Sequence, residues 1–111
     1  MTSLNFRRLG VRLAVAAAII LQFGVIGARA EELKVTIDNF TFSPPELKVK
    51  VGDTVTWTNH DDIPHTVVSA GKFRAKTMDT DGTFSFTFTA AGDYKYFCSL
   101  HPHMTGMIKV E

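Results

Sequence analysis

The sequence predicts an all-β domain, a Greek-key sandwich or small barrel of about seven or eight short strands. Three observations carry that expectation. Apolar and polar residues alternate at period two in most segments after residue 31, which is the signature of half-buried strands. Turn-forming pairs such as Pro44-Pro45, Asp61-Asp62, Asp81-Gly82 and Ala91-Gly92 punctuate those segments, each pair supplying backbone geometry that strands avoid. No stretch beyond residue 30 shows a helical repeat.

The first thirty residues differ in kind from the rest. Arg7, Arg8 and Arg12 precede an uncharged run from Leu13 to Ala28, and Ala28-Arg29-Ala30 places small residues where a signal peptidase needs them. The sixteen residues of that run are short for a spanning helix, which takes about 20. Residues 1–30 therefore read as a cleaved secretory signal, and residues 31–111 as one exported domain. The Arg7-Arg8 pair is only a weak hint of a twin-arginine signal, because Gly10 follows where more apolar bulk is expected.

Along the remaining chain, Leu33, Val35 and Ile37 alternate with Lys34 and Thr36. Leu47, Val49 and Val51 alternate with Lys48 and Lys50, and Gly52-Asp53 then supplies a turn. Val55 and Trp57 alternate with threonines, a short run spans His65–Ser69, and Phe84, Phe86 and Phe88 form an aromatic stripe read as core. Tyr94–Cys98 and Met107–Val110 complete the set, and the expected pairing is antiparallel. The segment from Ala70 to Asp81 is the least regular and is read as loop with one short strand.

Charge and cysteine count exclude several functions. From Glu31 to Glu111 there are eight Lys/Arg against eleven Asp/Glu, and this acidic balance disfavours nucleic-acid binding, which wants a basic patch. The single cysteine rules out an internal disulfide, so a metal is the one staple left to a domain this small. With the signal removed, nothing anchors the domain to a membrane, and it is expected to be a monomer.

The chemistry concentrates in Tyr96-Phe97-Cys98-Ser99-Leu100-His101-Pro102-His103-Met104. Cys98 offers a thiolate, His101 an imidazole and Met104 a thioether, three residues apart in a loop marked by Pro102 and Gly106. His65, preceded by Pro64, offers a second imidazole from upstream. One thiolate, two imidazoles and a weak thioether suit a mononuclear electron-transfer copper site. Zinc more often takes four strong ligands in closely spaced pairs.

These residues give the chain a specific resemblance. It resembles the cupredoxins, the small blue copper proteins related to plastocyanin and pseudoazurin, and within them the amicyanins. The resemblance rests on Phe42-x-Pro44, Val51-Gly52-Asp53-x-Val55-x-Trp57-x-Asn59, Pro64-His65-x-Val67, Ala91-Gly92-x-Tyr94-x-Tyr96-x-Cys98 and Cys98-x-x-His101-Pro102-x-Met104-x-Gly106, in that order. It implies a cupredoxin-type sandwich with one copper ion held by His65, Cys98, His101 and Met104. Its short loop places the axial Met three residues after the second His, which selects Met104 and leaves Met107 as core or rim.

The resemblance further implies a periplasmic one-electron carrier rather than an enzyme, with redox proteins as partners: an amine dehydrogenase and a c-type cytochrome. A copper-buffering or copper-delivering protein is the alternative, since its ligands would be the same. Asn59 is expected to tie the His65 segment to the Cys98 loop from outside the ligand set. His60 and His103 read as surface residues, Tyr94 as a strand or corner residue, and Asp61, Asp62, Asp79 and Asp81 as a solvated acidic face.

Overall fold

The computed structural model describes residues 32–111, and the predicted signal segment lies outside them. Nine strands follow one another without a helix among the described residues: β1 (Glu32–Asp38), β2 (Thr41–Ser43), β3 (Glu46–Val49), β4 (Thr54–Asn59), β5 (Val68–Ser69), β6 (Phe73–Arg74), β7 (Thr83–Thr87), β8 (Gly92–Cys98) and β9 (His101–Val110). They form two facing sheets, β2-β1-β4-β7 and β3-β9-β8-β5-β6. The Greek-key sandwich expected from the sequence is the fold observed.

Alternation places the core as predicted. Val35 and Ile37 of β1, Val55 and Trp57 of β4, Tyr96 and Cys98 of β8, and Ile108 and Val110 of β9 are all buried between the sheets. On the outer side of the β4–β7 pair, Thr54 and Thr56 share hydroxyl hydrogen bonds of 2.7 Å with Thr87 and Ser85. Beyond β7, Gly92 opens β8 as a strand residue with a φ of 146°, a conformation that favours glycine. The Tyr94 hydroxyl then donates to the Ala90 carbonyl at 2.8 Å, so Tyr94 is the corner residue expected.

Three expectations need correction. Pairing is not uniformly antiparallel, because β1 runs parallel to β4 and β3 parallel to β9. After the β1–β2 hairpin the chain crosses to the other sheet as β3 and returns beside β1 as β4, and a return of that kind is what parallel neighbours require. The His65–Ser69 run forms a strand only at Val68–Ser69, with His65 in an isolated bridge to Met78. Between them the Thr66 amide leaves the ladder to donate to Cys98 Sγ.

The aromatic stripe is the third. Phe88 is fully buried, whereas Phe84 and Phe86 are half-buried, because β7 is an edge strand and has no neighbour on its far side. Phe73 covers them from the other sheet, its ring 4.7 Å from that of Phe86. Phe84→Ala is therefore expected to cost on the order of 1–2 kcal/mol, below the roughly 3–5 kcal/mol of a fully enclosed Phe. Urea denaturation of the variant checks this, and a loss equal to that of Phe88→Ala would contradict the edge assignment.

Candidate metal centre

Three chain segments converge at one end of the sandwich. The loop between β4 and β5 carries His65, the last residue of β8 is Cys98, and the first residue of β9 is His101. The turn at Ser99-Leu100 lies between the last two, and Cys98 and His101 face each other across the β8–β9 pair where its register shifts. This shift lets the chain turn back and aim both side chains at one point.

Cys98 Sγ lies 3.7 Å from His65 Nδ1 and 3.6 Å from His101 Nδ1, and the three ligating atoms all lie within 4.8 Å of one another. These separations test whether a metal fits. With bonds of about 2.3 Å to sulfur and about 2.0–2.1 Å to nitrogen, tetrahedral angles separate S from N by about 3.5 Å and trigonal angles by about 3.8 Å. The observed values fall between the two, so the sulfur stands from each ring nitrogen at a separation that one bound ion would bridge. Met104, also buried, follows on β9.

Burial grades the site. His65 and Cys98 are completely enclosed, while His101 is half-buried and lies beside exposed Leu100. Burial opposes ionisation of Cys98, but the Thr66 amide, the His65 and His101 rings and the Thr66 hydroxyl outweigh it, bringing the thiol down to about 6. Such a thiol is substantially thiolate near neutral pH, the form that binds metals.

The residues around the cluster differ from expectation. The Asn59 side chain does not reach the Cys98 loop: it donates to the carbonyls of Ile63 and Met78 at 2.9 and 3.0 Å and accepts from the Asp61 amide at 2.9 Å. Thr66 makes the tie instead. Its amide donates to Cys98 Sγ at 3.3 Å, and its hydroxyl accepts from the Ser99 amide at 2.7 Å.

Asp61 is not part of a solvated face, although Asp62, Asp79 and Asp81 are exposed. It is buried, and its carboxylate accepts from the Asn39 amide at 2.6 Å and the Phe40 amide at 3.0 Å, with His65 Nε2 at 2.7 Å. The Phe40 amide first, then the Asn39 amide and the His65 ring, hold its carboxyl below the usual carboxylate range against the opposing effect of burial.

Phe40 is the other residue that sequence reasoning missed. Half-exposed, it stands edge-on to both imidazoles, with centroid distances of 5.5 Å to His65 and 5.1 Å to His101. The signals available were Asn39-Phe40 between two alternating runs and an acid four residues before His65. His60 and His103 are exposed, and neither joins a second ligand cluster among the described residues.

Residues 30–111 match the family of copper binding proteins described as the plastocyanin/azurin family. The chain belongs to the cupredoxins. Amicyanin of Paracoccus denitrificans is 34% identical over 125 residues, covering 91% of this chain and 95% of that protein. The solved amicyanin of Paracoccus versutus superposes with a TM-score of 0.69 at 36% identity, covering 76% of this chain and 85% of the other. A purple cupredoxin from Nitrosopumilus maritimus superposes equally well, TM-score 0.69 at 33% identity, over 71% of this chain and 99% of the other. As a cupredoxin the chain takes one copper ion and is not an enzyme.

Proposed function

We propose that this cupredoxin is an exported one-electron carrier whose copper would be held by His65, Cys98 and His101, with Met104 as a weaker fourth ligand. The observation that carries the reading is the convergence of one thiol sulfur and two imidazole nitrogens, with the sulfur 3.7 and 3.6 Å from the two nitrogens and all three atoms within 4.8 Å of one another. Bound copper supplies the one-electron couple. The chain's own part is to keep the donors fixed and dry: His65 and Cys98 are sealed from water, and Thr66 anchors the sulfur. His101 is the one of these donors that reaches towards solvent, so its ring edge is the short route for an electron to a docked protein.

A fixed, enclosed donor set favours a carrier over a copper-delivery protein, which must open its ligands to an acceptor. We assign residues 1–30 to a cleaved signal and the mature domain to the periplasm, as a monomer. Its partners are an amine dehydrogenase and a c-type cytochrome, a reading supported by the likeness to amicyanins. Small, weak interfaces suit such redox encounters.

The test is the optical and electron paramagnetic resonance spectrum of residues 31–111 loaded with copper(II). An intense visible thiolate-to-copper band is expected. A weak, tetragonal copper spectrum would show that Cys98 is not bound and would sink the assignment.

A further inference from the structure

We infer that Asp61 is a positioning residue of the metal centre, one carboxylate that both fixes the ring of His65 and fastens the β1–β2 turn over the site. The inference rests on His65 being a copper ligand, as proposed above, but it concerns a group outside the ligand set. Its basis is a set of contacts that converge on two oxygens. Oδ1 accepts from the Asn39 amide, and Oδ2 accepts from the Phe40 amide and meets His65 Nε2.

The contact with His65 selects a tautomer. An ionised carboxylate only accepts hydrogen bonds, so the imidazole proton sits on Nε2 and the lone pair on Nδ1. Nδ1 is the nitrogen that faces Cys98 Sγ at 3.7 Å. Asp61 thus presents the metal-binding nitrogen unprotonated, an arrangement known to orient ligating histidines and raise their basicity.

The other arm holds the hairpin. Asn39 and Phe40 both adopt the left-handed conformation, with φ of 50° and 57°, as the two-residue turn between paired Asp38 and Thr41 requires; Asn takes it readily, whereas Phe rarely does. Asp61 accepts from both amides of that turn and so fastens it to the loop that carries His65. The conformation sets the Phe40 ring edge-on against His65 and His101, whose own rings are 5.0 Å apart. A single side chain therefore immobilises His65 directly and flanks His101 through Phe40.

Asp61→Asn is the discriminating substitution, because a carboxamide has one acceptor oxygen where three donors converge. With its oxygen towards His65 and Phe40, its NH2 opposes the Asn39 amide. Reversed, its NH2 faces the Phe40 amide and His65 Nε2, driving the proton to Nδ1. We expect copper affinity to fall about 10–100-fold, with faster amide exchange at Asn39 and Phe40. Loss of a negative charge weakens copper(II) more than copper(I), and a tenfold difference between them raises the potential by about 59 mV. Asp61→Glu keeps two acceptor oxygens and is expected to lose less.

Nitrogen-15 NMR of the wild-type apo protein tests the tautomer with no variant at all, and the expected result is a protonated Nε2. A protonated Nδ1 would overturn the inference, as would Asp61→Asn protein that stays blue with unchanged affinity and potential. A wild-type protein that never becomes blue points instead at the ligand assignment, so the two failures are distinguishable.

Discussion

Replacing Cys98 with Ala is expected to abolish the intense visible band of the copper-loaded protein entirely, leaving at most a weak tetragonal copper(II) spectrum. The band arises from charge transfer out of a thiolate, and Cys98 is the chain's only cysteine. What remains, His65, His101 and Met104, is two imidazoles and a thioether, a set with no strong anionic donor. The Ala variant carries a second cost, because the buried Thr66 amide loses its sulfur acceptor, and an orphaned buried donor costs about 1–3 kcal/mol. Cys98→Ser separates the two effects, since its hydroxyl can still accept from Thr66. Both variants are expected to lose the colour, with Cys98→Ser retaining the far-ultraviolet dichroism of the folded protein. Persistence of the native band in either one would remove the thiolate from the site.

The proposed binders were legible in the sequence because their chemistry is rare and their spacing short, as Cys98 and His101, which the fold brings together, show. Those that orient the binders were not legible, for a physical reason. Asp61 acts on His65 from within the same loop but also on Asn39 and Phe40, more than twenty residues upstream, and a run of two acids ordinarily signals a solvated turn. Thr66 reaches the sulfur first through a backbone amide, a group that every residue except Pro possesses, and its hydroxyl meets Cys98 and Ser99 across more than thirty residues, which no local pattern announces. The fold divides in the same way. Period-two alternation shows which face of β1, β4 and β8 is buried, but it carries no information about which strand lies alongside. The parallel β1–β4 and β3–β9 pairings are decided by crossovers between sheets, which leave no local pattern. The edge position of β7 is equally non-local, and it leaves Phe84 and Phe86 half-buried, whereas Phe88, one residue past the strand's end, is enclosed.

Gly106→Ala is expected to be among the most damaging single-methyl additions in the chain, at about 3 kcal/mol or more, the upper end of the cost of overpacking a core. Gly106 on β9 lies directly opposite Tyr96 on β8, and directly opposed residues share a face of the sheet. The Tyr96 ring leans over the glycine, and a Cβ built there would overlap its Cζ and Oη. The ring has nowhere to go, for Phe42 and Trp57 pack edge-on against it at centroid distances of 4.8 and 5.4 Å. Relief must therefore come from the backbone of β9, the strand that begins with His101 and also carries Met104. For a domain of this size, about 3 kcal/mol corresponds to a melting point lower by roughly 12–24 °C, measurable by calorimetry on the apo protein. Tyr96→Phe provides the internal control. Among the described residues the Tyr96 hydroxyl, which lies near the Trp57 side chain, has no well-formed hydrogen bond, so its removal alone is expected to cost little. In the double variant it removes the Oη overlap but leaves Cζ, so the recovery is partial. A Gly106→Ala protein as stable as wild type would mean that the ring does not occupy the glycine's missing side-chain space. Full recovery in the double variant would place the entire clash at the hydroxyl.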